Sequence, residues 1–210
     1  MSDGRHEEAA DGTYTDAAAR FERCIRVGGV AVFASDTVYG LACDPDNQFA
    51  VERLYLLKRR PRQKPSAVMF FALEPALEAL PELGHPTRQA LARLLPGPVG
   101  TLLPNPARRF PLACGEDVST LGLRVPAVQA LAQVQVPVLQ SSANRAGGPD
   151  PRTLAEVPQL LRAGVDLVID GGELPGTPST VVDLRSYEQD GSWSVVRAGA
   201  VSEQALAEAL

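Results

Sequence analysis

Residues 28–41 read Gly28-Gly29-Val30-Ala31-Val32-Phe33-Ala34-Ser35-Asp36-Thr37-Val38-Tyr39-Gly40-Leu41. A glycine pair leads into five uninterrupted apolar residues, then three small polar ones, then a second apolar stretch. The run Val30–Ala34 is too short for a helix and has no polar face, so it predicts a buried strand. Upstream, Asp16 to Val27 predicts a helix: Asp16 is a suitable N-cap, Phe21, Cys24 and Ile25 recur at helical spacing, and Gly28-Gly29 ends it. Downstream, Gln48 to Arg59 is the clearest helix, with Phe49, Val51, Leu54, Tyr55 and Leu57 apolar and Pro61 beyond its end.

The alternation continues outward. Ala67–Phe71, Val99–Leu103, Leu121–Val125, Pro137–Leu139, Leu167–Ile169, Thr180–Val182 and Val195–Arg197 predict strands. Pro75–Leu83, Thr87–Leu95, Ala127–Gln133 and Thr153–Arg162 predict helices, Thr153 as an N-cap, and Ser202 caps a last one. Strands alternating with helices predict a layered α/β domain. Ile169 to Thr180 and Val182 to Val195 leave no room for a crossover helix, so the sheet is expected to be twisted and mixed parallel/antiparallel, with flanking helices.

The chain has 210 residues, 45% of them hydrophobic, enough for one core without disulfide or metal staples. Its net charge is −5. Residues 1–15 are acidic, Gly/Ala-rich and aperiodic, which predicts a disordered tail before a single domain over 16–210. No apolar run reaches the roughly 18 residues of a membrane span, and the N-terminus has no apolar segment of a secretory signal. Cys24, Cys43 and Cys114 show no CxxC spacing and read as reduced thiols of a cytoplasmic protein.

Chemistry is restricted by what is missing. Only two histidines occur, His6 in the expected tail and His85 in a Gly-His-Pro loop, so a histidine-based triad or metal site lacks its parts. There is no Walker A loop and no GxGxxG. What remains is Ser35-Asp36-Thr37, Ser141-Ser142-Ala143-Asn144 and Pro178-Ser179-Thr180 at strand ends, where α/β sheets bind ligands. To these is added the run Lys58-Arg59-Arg60-Pro61-Arg62-Gln63-Lys64, which holds five of the 20 cations. A polar cleft with an anion site follows, suited to a transferase that positions a polyphosphate without a protein nucleophile.

These segments resemble the YrdC-like threonylcarbamoyl-AMP synthases. Ser35-Asp36-Thr37-Val38-Tyr39-Gly40-Leu41 is similar to the family's P/T-T-[DE]-T-x-Y-G-L signature, Lys58-Arg59-Arg60-Pro61 to its Lys-x-Arg element, and Ser142-Ala143-Asn144 to its Ser-x-Asn element. Pro96-Gly97-Pro98, Leu123-Arg124-Val125-Pro126, Ser179-Thr180-Val181-Val182-Asp183 and Arg197-Ala198-Gly199 follow in family order. The match runs from about Gly28 to Val201.

The resemblance implies a YrdC-like fold around a positively charged cavity. It also implies synthesis of L-threonylcarbamoyladenylate from L-threonine, bicarbonate and ATP, with pyrophosphate released. Mg2+ would accompany ATP, and a tRNA threonylcarbamoyl-transfer complex would take the product. Carried over by position, Lys58, Arg60, Ser142 and Asn144 would form the catalytic set. Arg60, Lys64, Thr120, Asn144, Arg152 and Arg197 would meet ATP, and Thr37, Arg124, Ser142 and Ser179 the threonine. No metal ligand is assigned.

Three positions depart from the family pattern. Met69 stands where longer members carry a His that contacts the amino acid. Gly100 interrupts the usual Pro-Gly-Pro-x-Thr run ahead of Thr101. Arg152 replaces a Ser or Thr. The chain matches the single-domain form. The alternatives are a non-catalytic RNA-binding protein of the same fold with weak RNA affinity, a carbamoyl-adenylate-handling module, and a paralogue acting on another amino acid.

Overall fold

The computed structural model describes the backbone of residues 5–210 and the side chains of residues 16–210; the expected acidic tail over 1–15 lies outside the fully described residues. Helix α1 (Arg5–Arg26) includes the helix expected from Asp16, and its C-terminal turn closes as the glycine pair requires. Gly28 takes φ +80°, and the Gly28 and Gly29 amides donate to Ile25 O and Cys24 O.

The chain continues through β1 (Ala31–Ala34), β2 (Tyr39–Cys43), α2 (Gln48–Lys58), β3 (Ala67–Met69), α3 (Leu73–Ala79), α4 (His85–Leu94), β4 (Val99–Pro104) and β5 (Thr120–Arg124). It ends with β6 (Val138–Ser142), α5 (Gln159–Gly164), β7 (Leu167–Ile169), β8 (Thr180–Asp183), α6 (Tyr187–Asp190), β9 (Ser194–Arg197) and α7 (Glu203–Ala209).

The strands form one mixed sheet in the order β7-β1-β2-β6-β3-β5-β4-β8-β9. The pairs β1/β7, β3/β5 and β4/β8 are parallel and the rest antiparallel. Two expected helices are reduced. Ala127–Gln133 keeps only the 3-10 turn Gln129–Leu131. Thr153–Arg162 divides into a 3-10 turn at Leu154–Glu156 and α5, because Pro158 has no amide hydrogen to continue a helix; Thr153 makes no side-chain cap. Ser202 does cap α7, accepting from the Ala205 amide at 3.2 Å.

The two sheet faces are covered differently. On one, α2, α4, α5 and α7 pack Val51, Leu54, Tyr55, Leu91, Leu161 and Leu206 against Val68, Leu123, Leu139 and Val182. On the other, α1 sets Phe21 against Phe33 and Phe71 with ring centroids 5.3 and 5.5 Å apart, edge to face. The strand contacts of α1 are concentrated on β1 and β7. Over β3, β5, β4 and β8 that same face opens as a cavity. Among the described residues no helix is long and apolar enough to cross a membrane.

Candidate active site

The cavity has a volume of about 520 Å3, and its floor includes the small residues Ala67, Gly100 and Gly122. Gln140, Ala67, Gly122 and Leu102 stand in register across β6, β3, β5 and β4, and Arg124, Gly100 and Val181 form the next row on the same face. A Cβ on Gly100 would lie 3.5 Å from Arg124 Cγ, so the missing side chain leaves space beside the Arg124 stem. Register also settles the ambiguity at Thr101. It pairs with Leu123 and Val182, whose side chains lie in the opposite core, so Gly100 and not the Thr101 hydroxyl faces the cavity. Met69, in register with Arg124, is fully buried beneath α1.

One wall is the Ser35–Thr37 loop. Ser35 Oγ donates to Val38 O at 2.7 Å and accepts from the Thr37 amide at 3.2 Å, a side-chain turn that presents Thr37 to the cavity. Asp36 Oδ1 lies 2.6 Å from Arg124 Nη2, and both side chains are more than nine-tenths buried. Burial lowers the Arg124 pKa, Asp36 opposes that shift, and the nearby Arg197 guanidinium adds to it. Arg197 donates through Nη2 to Ser179 O at 2.7 Å and to Ser179 Oγ at 3.1 Å. That clasp depends on Gly199: a Cβ there would collide with the Pro178 carbonyl and lie 2.5 Å from Ser179 C.

The basic run divides at the end of α2. Arg59 takes the left-handed conformation at φ 51°, so its neighbours go different ways. Lys58 turns inward and is 1% exposed. Its Nζ donates to Ser142 O, to Asn144 O at 2.9 Å and to Asn144 Oδ1 at 3.0 Å. Burial and the adjacent Arg60 charge push its pKa down to about 8, against a smaller opposing effect of Asp150. Asn144 Oδ1 also accepts from Ser142 Oγ at 2.8 Å, and its Nδ2 donates to Gly148 O and Asp150 Oδ1. Arg60 reaches the cavity wall, donating to Pro65 O at 2.7 Å while its buried Nε has no partner.

Of the residues singled out in the sequence, Thr37, Arg60, Thr120, Arg124, Ser142, Ser179 and Arg197 line this one cavity. Among the described lining residues Lys58, Lys64, Asn144 and Arg152 are absent. Lys58 and Asn144 lie behind the wall and brace it. Lys64 is exposed beyond the Pro61 bend. Arg152 faces outward into an ion pair with Glu173 at 2.6 Å, both half or more exposed.

The wall also holds residues that the sequence reading gave no role. Arg185 donates to Thr120 Oγ1 at 3.4 Å and pairs with Asp183, while Thr120 Oγ1 donates to Asp117 Oδ2 at 2.7 Å. Arg60, Arg124, Arg185 and Arg197 share the lining with Glu116, Asp117 and Asp150, and Arg124 and Arg185 are paired with Asp36 and Asp183. Among the described residues no group of three or more His, Cys, Asp or Glu is placed to hold a metal ion. Cys43 is buried, and burial pushes its thiol up to about 12, which removes it as a nucleophile at neutral pH.

The Sua5/YciO/YrdC family model, described as "Telomere recombination", matches residues 23–199. A threonylcarbamoyl-AMP synthase of Pseudomonas aeruginosa is 37% identical over 170 residues, covering 77% of this chain and 89% of its own. One from Chromohalobacter salexigens is 38% identical over 191 residues, 87% of this chain and 97% of its own. In fold, the chain is similar to Pyrococcus abyssi Sua5 crystallised with L-threonine. The TM-score is 0.82 at 24% identity, over 94% of this chain and 58% of that one.

Proposed function

The chain belongs to the Sua5/YciO/YrdC family, and on that premise we propose that it is a threonylcarbamoyl-AMP synthase. It is an enzyme of the nucleotidyl-transfer class that joins L-threonine, bicarbonate and ATP into L-threonylcarbamoyladenylate and pyrophosphate. The observation that carries this reading is the meeting of Thr37, Arg124 and Ser179 with Arg60, Thr120 and Arg197 in one cavity, in a chain 37–38% identical to proteins of that name.

The reaction asks for positioning and charge stabilisation, and this lining supports both. Arg124 offers a guanidinium to the amino acid's carboxylate, with Thr37 and Ser179 beside it. Threonine's amine, having shed a proton, bonds to the carbon of bicarbonate-derived CO2; one water is lost in forming the carbamate. A carbamate oxygen then bonds to the α-phosphorus, the bond to the β-phosphate oxygen breaks, and pyrophosphate leaves. Arg60, Arg185 and Arg197 are the cations available to the phosphates, and fixed charges of this kind act without reorganising. Mg2+ enters as part of the nucleotide substrate. The adenylate is a mixed anhydride and passes on to a tRNA threonylcarbamoyl-transfer complex.

The test is pyrophosphate release by the purified protein with MgATP. Release that needs both threonine and bicarbonate supports the assignment. Release with another amino acid but not threonine, or none with any mixture, overturns it.

A further inference from the structure

Asp36 lies among the motif residues yet has no part in the chemistry above. Its carboxylate is nonetheless among the most buried charges of the described residues. Oδ1 holds Arg124 Nη2 at 2.6 Å, and Oδ2 accepts from the Ala127 amide at 3.2 Å. The side chains of Arg124 and Asp36 are 6% and 8% exposed. This pair spans 88 positions in sequence and ties the loop that carries Thr37 to the end of β5.

The guanidinium is not exhausted by that contact. Asp36 takes one corner, Nη2, whereas Arg124 Nε is buried and has no partner. A buried, charged donor without an acceptor costs stability unless a ligand supplies one. Beside it Gly100 contributes no side chain to the cavity face. Arg197 stands close enough to repel Arg124. Arg124 and Arg197 together outweigh Asp36 by one charge, which favours an incoming anion. Removing Asp36 would leave Arg124 free to swing and two confined cations unbalanced.

Resting on the proposed amino-acid-dependent reaction, we infer that Asp36 is the positioning residue of the amino-acid subsite. It holds Arg124 by one corner so that the remaining edge of the guanidinium meets the substrate's α-carboxylate at fixed distance from Thr37. Asp36 itself touches no substrate atom.

The experiment compares the full chain with Asp36→Asn and Asp36→Glu. Calorimetry measures binding of L-threonine and of L-threoninamide, which lacks the carboxylate, and pyrophosphate release gives KM and kcat. In Asp36→Asn the preference for threonine over the amide falls on the order of 10- to 100-fold, the scale of one charge-assisted contact. KM for threonine rises in step, KM for ATP stays within about 2-fold, and the amide's own affinity is unchanged. Asp36→Glu keeps the charge at a different reach and restores part of the preference; it also reads the inference should the Asn variant fail to fold.

Equal weakening of threonine and amide would mean that Asp36 binds the amino acid directly. Tighter threonine binding in Asp36→Asn would mean that Asp36 restrains Arg124 instead of presenting it. An unchanged preference would leave only a structural pair. Each of these overturns the inference. A wild-type protein that prefers threonine over the amide but releases no pyrophosphate overturns the functional assignment alone, since the variants' binding preference still reads the role of Asp36.

Discussion

Lys58 and Asn144 are joined twice: Lys58 Nζ donates to the Asn144 carbonyl at 2.9 Å and to its side-chain oxygen at 3.0 Å. With Ser142 O as the third acceptor, all three ammonium hydrogens are used. A lysine so committed is not available to phosphate without releasing the loop that it holds. In this geometry it ties Ser142 to the cavity wall from behind.

Lys58→Met therefore leaves buried acceptors unmet, each costing about 1–3 kcal/mol. Thermal unfolding should shift down by about 2–4 °C per kcal/mol lost at this chain length. Activity should fall together with order in the 142–150 loop, which amide exchange reads directly. A variant as stable and as active as the parent would show the network to be dispensable.

The same lysine predicts opposite pH trends for stability and turnover. Its folded pKa is about 8 against an ordinary 10.5. Between these values the unfolded chain binds the proton and the folded one does not, so this group's contribution to stability rises with pH over that window. The neutral amine, however, has two hydrogens for three acceptors, so activity should decline with a midpoint near pH 8. Lys58→Arg, whose charge persists, should carry activity further into alkali. An alkaline limb unmoved in Lys58→Arg would assign the midpoint to another group.

Gly199→Ala tests the clasp between β9 and the Ser179 segment. The new methyl meets the Pro178 carbonyl and lies 2.6 Å from the Thr180 amide nitrogen, so backbone must move and Arg197 loses its hold on Ser179. A stability loss of about 1–3 kcal/mol, the ordinary range for overpacking, is expected. KM should rise for both threonine and ATP, because Ser179 and Arg197 shift together. Unchanged constants would place neither residue at a substrate.

Arg152 offers the converse. Its ion pair with Glu173 is 51% and 65% exposed, and such pairs contribute about 0–1 kcal/mol. Arg152→Ser, the residue type of the family pattern, should leave the melting temperature and KM for ATP close to the parent. A several-fold rise in that KM would return Arg152 to the nucleotide site.

What the sequence disclosed follows from the range of each signal. Local spacing marked every strand but β2, whose residues followed the polar loop as an unassigned apolar stretch, and the caps at Gly28 and Ser202; ordered motifs marked Thr37, Arg60, Arg124, Ser142, Ser179 and Arg197. The splitting of Lys58 from Arg60 depended on one left-handed residue, Arg59, within a run that reads as a uniform basic patch. The Arg124–Asp36 pair joins residues 88 apart and leaves no local trace. Which of Gly100 and Thr101 faces the cavity is a matter of register, and a single-residue shift would have reversed it. Arg185 sits in a turn whose relation to Thr120 exists only once β5 and β8 are placed on either side of β4.

That register makes Gly100 a measure of how much space the site needs. Its Cβ position has only ordinary contacts, 3.5 Å to Arg124 Cγ and 3.7 Å to Val181 Cγ2, so Gly100→Ala fits without strain. Gly100→Leu would project a branched chain from the cavity floor beside Arg124. If that volume is occupied by the amino acid, Gly100→Ala should change KM for threonine by less than about 3-fold, whereas Gly100→Leu should abolish threonine binding with the fold intact. Added apolar surface on an open floor creates no cavity and buries no polar group, so the melting temperature should hold. Gly100→Leu binding threonine as tightly as the parent would place the amino acid elsewhere in the cavity. The row of Arg124, Gly100 and Val181 would then belong to the nucleotide, and KM for ATP in the same variant would report it.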